Sequence, residues 1–199
     1  MRIQIRFVDN QSVINIQRNK IKPVKLPEPF YSAEKGVNKV SLFKEILLQI
    51  GGDCIEVNTT EELNFLLHNN FKNATDLRRN KLLEKFPSSY SKESLEGLKT
   101  VILEGQFGVA ENGSIWVNDS NFPNRLIPFI SEELVLCLDS TQIVRNMHDA
   151  YFKINNAISG FGVFISGPSK TSDIEQHLVY GAHGAKKLVV ILSHENILK

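Results

Sequence analysis

Val163-Phe164-Ile165-Ser166-Gly167-Pro168-Ser169-Lys170-Thr171 carries a β-prone apolar run straight into a polar loop holding a glycine and a proline. Valine, phenylalanine and isoleucine favour a strand, here Gly162–Ile165, and Gly-Pro stops it. Ser172-Asp173-Ile174-Glu175 then has the serine-to-glutamate spacing of a capping box, so a helix is expected over Ser172–Tyr180. Lys187–Leu192 is apolar without alternation, the pattern of a strand buried on both faces. Strand, loop, helix and buried strand together are a unit of a parallel sheet covered by helices.

Working upstream, Met147, Ala150, Tyr151, Ile154 and Ile158 form one helical stripe that Gly160 ends. Strands are expected at Thr100–Leu103, Phe107–Ala110, Ile115–Val117 and Leu134–Leu138. Leu42, Phe43, Ile46, Leu47 and Ile50 line another helix, stopped by Gly51-Gly52, and Cys54–Val57 reads as a strand. Thr59 and Glu62 have capping-box spacing ahead of Leu63, Leu66 and Leu67. Between 73 and 99 the chain is polar, and a short helix is expected near Leu82-Leu83. Residues 1–36 are expected to be an N-terminal extension, with a hairpin through Ile3, Ile5 and Phe7 and a linker through Pro23, Pro27 and Pro29. Residues 37–199 form one α/β domain with a Rossmann-like, mostly parallel sheet flanked by helices.

Composition excludes several classes. Of 199 residues 42% are hydrophobic, enough for a packed core, and a net charge of +1 gives no nucleic-acid footprint. No apolar run is long enough to cross a bilayer, and Met1–Arg6 lacks a signal-peptide block. The expectation is a cytoplasmic chain with no membrane or nucleic-acid partner. Cys54 and Cys137 each sit in an apolar run, as buried thiols do. Two cysteines cannot hold a four-cysteine iron–sulfur cluster, and no histidine spacing suggests zinc. No metal or cofactor is expected in this chain.

In parallel sheets ligands sit beyond the carboxyl ends of the strands. Gly167 and Pro168 let a backbone approach closely, Ser169 and Thr171 offer hydroxyls, and the expected helix start offers free N–H groups. Such a set favours a carboxylate or phosphate, and Lys170 can add charge. Asp173 and Glu175 have an equal claim as simple helix-capping residues. His183, in Gly181-Ala182-His183-Gly184, belongs either beside the ligand or exposed next to a glycine cap. Asn112-Gly113 is a strong turn signal that presents Glu111 at a strand end, where a desolvated carboxylate acts as nucleophile or base. Arg125 can clamp a carboxylate or make a surface ion pair. These residues make up the ligand-contact set, and Glu111 is the catalytic candidate. The reading requires residues 167–171 and Glu111 to face one open cleft.

Gly167-Pro168-Ser169-Lys170-Thr171-Ser172-Asp173-Ile174-Glu175, followed by Gly181-Ala182-His183-Gly184, resembles the LUD-domain family of lactate-utilisation proteins B and C. That family carries Gly-Pro-Ser-x-Thr-x-Asp-Ile-Glu and then Gly-x-His-Gly before its final strand. Ala110–Ser114 is similar to the family's Ala-x-Thr-Gly-Thr turn, with Asn112 and Ser114 replacing the threonines; Arg125 and Pro128 resemble a family arginine and proline. The resemblance covers about Val37 to Leu192. It implies the fold of sugar-phosphate isomerases, deaminases and CoA transferases. It also implies a part in oxidising L-lactate to pyruvate beside partner subunits that hold the iron–sulfur clusters. Without a cysteine-rich extension the chain is similar to the C type. A homo-oligomer is compatible with the resemblance. Two alternatives stay open. Glu111-Asn112-Gly113 also resembles the Ser-Glu-Asn-Gly signature of CoA transferases, with Ala110 for the serine. The other is a non-catalytic ligand-binding or regulatory domain.

Overall fold

The computed structural model describes residues 38–78, 95, 97–120, 124–155, 160–172, 178–181 and 183–194. The expected N-terminal hairpin and the helix near Leu82-Leu83 lie outside the described residues. Strands β1 (Asp53–Val57), β2 (Thr75–Asp76) and β3 (Thr100–Glu104) share one sheet with β6 (Glu133–Asp139) and β11 (Lys187–Ser193). All its pairings are parallel, in the order β1-β11-β6-β3-β2. The two long apolar runs, β6 and β11, occupy its middle, where both faces are covered.

Alternation along these strands sorts the core. Leu134, Leu136, Leu138, Val190 and Leu192 point to a large cluster under helix α1 (Lys39–Gln49). Val135, Cys137, Val189 and Ile191 point to the other face, under α2 (Thr60–Asn70). Helix α1 buries Phe43 and Leu47, starts with the Asn38 side chain accepting from the Val40 amide, and ends before Gly51, whose φ is +88°. At the start of α2 Thr59 Oγ1 accepts from the Glu62 amide at 3.1 Å. The Glu62 carboxylate reaches back to the Asn58 amide, one residue beyond the standard box.

A second sheet, not separated from the first in the sequence reading, holds β4 (Phe107–Val109), β5 (Ser114–Asn118), β7 (Ile143–Val144) and β8 (Gly162–Ile165). Its order is β7-β4-β5-β8, with β5 antiparallel to both neighbours. Ile115, Val117 and Val163 join the large core. On its outer side Phe107 and Val109 meet Met147 and Ala150 of α4 (Met147–Asn155). A Cβ on Gly162 would lie 2.1 Å from the Trp116 ring, so the indole fills the space that glycine leaves. A single turn, α3 (Ile127–Ile130), precedes β6. The stripe expected to reach Ile158 is helical to Asn155; residues 156–159 lie outside the described residues.

One expected element is corrected. The helix expected over Ser172–Tyr180 is absent from both described ends of that stretch. Lys170–Ser172 (β9) and Leu178–Tyr180 (β10) pair antiparallel, with Thr171 opposite Val179. Capping-box spacing is a local signal, whereas the β-branched Thr171 and the run Leu178-Val179-Tyr180 favour strand pairing. Asp173 and Glu175 lie outside the described residues.

Candidate functional site

The loop after β8 and the turn between β4 and β5 do meet. Ser166 Oγ donates to the Asn112 carbonyl at 2.9 Å. Asn112 Oδ1 accepts from the Ser114 amide and hydroxyl, at 3.1 and 2.7 Å, and so shapes the turn. Gly113 has φ +64° and sits against Leu47, where a Cβ would lie 3.1 Å from the backbone nitrogen. Gly167 has φ +71° and sits against Ile50 in the same way. Both segments are therefore seated on the carboxyl end of α1.

Two corrections follow for the loop. Because β8 belongs to the second sheet, the loop lies not beyond the carboxyl ends of the parallel strands but beside their amino ends, at Ile50 and Ala185. With β9 following it, no helix N-terminus stands behind it. Several of its polar groups are engaged within the fold. The Ser169 amide donates to the Ala185 carbonyl at 2.8 Å, and the Ser169 carbonyl accepts from the Gly181 amide at 3.0 Å. Lys170 Nζ donates to the Ile50 carbonyl at 2.8 Å, where it complements the negative end of α1. Gly167, Pro168 and Ser169 are buried. This arrangement ties α1, β11 and the β9–β10 hairpin together. Thr171 lies in the hairpin ladder, and His183 is exposed two residues before the Ala185 carbonyl that holds Ser169.

Glu111 is exposed, and its Oε2 accepts from the Met147 amide at 2.9 Å, at the positive start of α4. The desolvation that the nucleophile reading requires is absent. Arg125 pairs in fork geometry with Asp119, Nε to Oδ1 at 3.0 Å and Nη2 to Oδ2 at 2.9 Å, and lies over the Phe161 ring. Asn118 pairs with Gly162 and Ile115 with Ile165, so Asp119 and Ser166 leave opposite ends of the second sheet. Asp119 is level with Phe161, five residues before Ser166, and at about 3.4 Å per residue that is roughly 17 Å, too far for one small ligand to touch Arg125 and the loop.

The carboxyl end of the parallel sheet holds a cluster that the sequence reading missed. In register, Asp139 on β6 and Val57 on β1 are both level with Ser193 on β11. The next residues out, Ser140 and His194, leave side by side, and the His194 amide continues the ladder to the Val57 carbonyl at 3.1 Å. His194 Nε2 lies 2.9 Å from Glu56 Oε2, and His194 Nδ1 lies 3.3 Å from Ser140 Oγ. Lys44 of α1 binds Glu56 Oε1. The Lys44 hydrogen bond, followed by that of His194, holds the Glu56 carboxyl below its usual range, and the Glu56 hydrogen bond raises Lys44. Next to Ser140, Lys39 Nζ donates to the Ile143 carbonyl and Lys153 Nζ to Gln142 Oε1, both at 2.8 Å. Burial and then the Lys39 charge lower the Lys153 pKa. A sequence signal existed for two of the cluster's residues: the period-two apolar rows Leu134, Leu136, Leu138 and Leu188, Val190, Leu192 continue into Ser140 and His194.

The thiols take no part. Burial pushes Cys54 up to about 11 and Cys137 up to about 12. No helix among the described residues is long and apolar enough to cross a membrane.

Comparison with known proteins brings in the family. The LUD domain profile matches residues 29–193. Lactate utilization protein C of Bacillus pumilus (strain SAFR-032) is 29% identical over 97 residues, 46% of this chain and 40% of that protein. Lactate utilization protein C of Geobacillus kaustophilus (strain HTA426) is 31% identical over 90 residues, 42% of this chain and 38% of that protein. The uncharacterized protein NMB1437 of Neisseria meningitidis serogroup B is 30% identical over 89 residues, 43% of this chain and 38% of that protein. The chain thus spans about 40% of the length of the curated relatives it matches. The crystal structure of a DUF162 family protein from Deinococcus radiodurans superposes with a TM-score of 0.56 at 15% identity, over 79% of this chain and 99% of that one. At that identity the likeness is one of fold.

Proposed function

The chain belongs to the LUD-domain family, and from that premise we propose that it serves in lactate utilisation, binding a small organic acid beside partner subunits that carry iron–sulfur clusters. The observation that carries the reading is the similarity to proteins named lactate utilization protein C. Two features are compatible with it. Both thiols are raised by burial, so redox centres would reside in partners rather than here. The carboxyl edge of the sheet, where open parallel sheets take ligands, collects lysines and a histidine suited to an organic anion. The test is isolation of the tagged chain from its own cells, grown on L-lactate. The expected result is co-purification of a protein with equimolar iron and sulfide, lost when lactate is replaced by glucose. Isolation of the chain without any iron–sulfur protein under both conditions refutes the partner reading.

A further inference from the structure

The carboxyl edge of the parallel sheet has the topology of a ligand crevice. β1 passes the chain to α2 on one face, whereas β6 passes it through Ser140–Gln142 to β7 in the second sheet, on the other face. β11 lies between them, so two strand exits diverge around its end, where His194 stands. Ligands in open α/β sheets bind outside the carboxyl ends at such points of divergence.

The side chains there define an acceptor. Glu56, held ionised by Lys44, can only accept, so the hydrogen on His194 Nε2 is directed at it. With a single ring hydrogen, placed on Nε2, the imidazole turns the Nδ1 lone pair toward Ser140 Oγ, 3.3 Å away. That distance is long for a hydroxyl on an imidazole nitrogen, so the contact is one that another hydroxyl can improve on. The Ser140–Gln142 turn is contacted by Lys153, at Gln142, and the residue after it by Lys39, at the Ile143 carbonyl. Their contacts there are to neutral oxygens, a carbonyl and an amide. Lys153 Nζ also lies 5.1 Å from the Phe107 ring centroid and feels the Asp139 charge; the two ammonium groups, which repel one another, still favour an arriving carboxylate. Asp139 spends Oδ1 on the Thr141 amide and hydroxyl at 2.8 and 2.6 Å.

We propose that this crevice binds a small 2-hydroxy carboxylate, with its hydroxyl donating to His194 Nδ1 and its carboxylate directed to Lys39 and Lys153. The site rests on the lactate reading for the choice of acid, and on the geometry for its place. Glu56 is a positioning residue, since it fixes which imidazole nitrogen accepts.

The experiment titrates the full chain with L-lactate and with propionate, which has the same skeleton without the hydroxyl, while following His194 by NMR. Lactate is expected to bind about tenfold more tightly than propionate, the loss of one hydrogen bond. H194Q and E56Q should bind both acids alike. In E56Q the amide can donate to Nε2 and so moves the imidazole hydrogen to Nδ1. E56D should restore part of the preference. K39A and K153A should weaken both acids by a similar factor. Equal binding of the two acids by the parent chain, no binding of either, or lactate binding that leaves His194 unmoved each overturns the proposal. Growth on lactate separates it from the reading beneath it. If both the parent chain and H194Q restore growth to a deletion strain, the site is refuted and the lactate role stands. If neither restores growth while the parent still discriminates the two acids, the lactate role is refuted and the site stands.

Discussion

Replacing Gly167 with alanine tests whether the loop after β8 is a structural clamp. The residue has φ +71°, and an added Cβ would lie 3.0 Å from the Ile50 carbonyl oxygen and 3.2 Å from Ile50 Cγ1. The left-handed conformation costs an alanine about 1–2 kcal/mol. Crowding against a backbone atom, which cannot swing aside, adds about 1 kcal/mol or more. A stiffer unfolded chain returns roughly 0.4–1 kcal/mol. The net is a destabilisation of about 2 kcal/mol, hence a Tm lower by about 4–8 °C for a chain of this size. Thermal unfolding followed by circular dichroism measures it. The control is Gly160→Ala: Gly160 is exposed, and its nearest neighbours are the flexible ends of Asp119 and Arg125 at 3.3 and 3.4 Å. That change should stay within about 0.5 kcal/mol of the parent. A Gly167→Ala variant as stable as the control would show that the loop does not bear on Ile50, and the clamp would fall.

Three further outcomes follow from the same contacts. Glu111→Ala removes the acceptor at the start of α4 and should cost about 0.5–2 kcal/mol in denaturant unfolding; trapping with hydroxylamine in the presence of an acyl thioester should leave the parent's Glu111 unmodified. Native chain at pH 8 should resist iodoacetamide at Cys54 and Cys137, whose thiols are raised to about 11 and 12, and both should react in urea, as mass spectrometry would show. Glu56 is held below its usual range, so its contribution to stability is in place above the unfolded carboxyl pKa and is lost as pH falls through the folded one. Acidification from pH 6 to 3 should therefore lower the Tm of Glu56→Gln less than that of the parent, and equal losses would remove Glu56 from the cluster.

The sequence exposed the fold wherever a segment's pattern was set by burial. Lys187–Leu192 reads as a buried strand and Leu134–Leu138 as a strand because their apolar runs cover both faces, and the structure buries both. It misled at Ser172–Tyr180, where a capping-box spacing pointed to a helix and strand pairing between Thr171 and Val179 prevailed. The second sheet was hidden because antiparallel and parallel strands this short share the same alternation. That one omission displaced the site: the loop after β8 was assigned to the carboxyl edge of a sheet to which β8 does not belong. Glu56, Ser140 and His194 come from three distant stretches and meet only through the register of β1, β6 and β11. No spacing rule along one chain reports such a meeting, although Ser140 and His194 each follow an apolar row of period two.

Growth on L-lactate as sole carbon source, in a strain from which only this chain has been deleted, bears most directly on the proposed role. Growth is expected to fail on lactate, to persist on pyruvate, and to return when the chain is supplied again. Unchanged growth on lactate after the deletion would contradict the account.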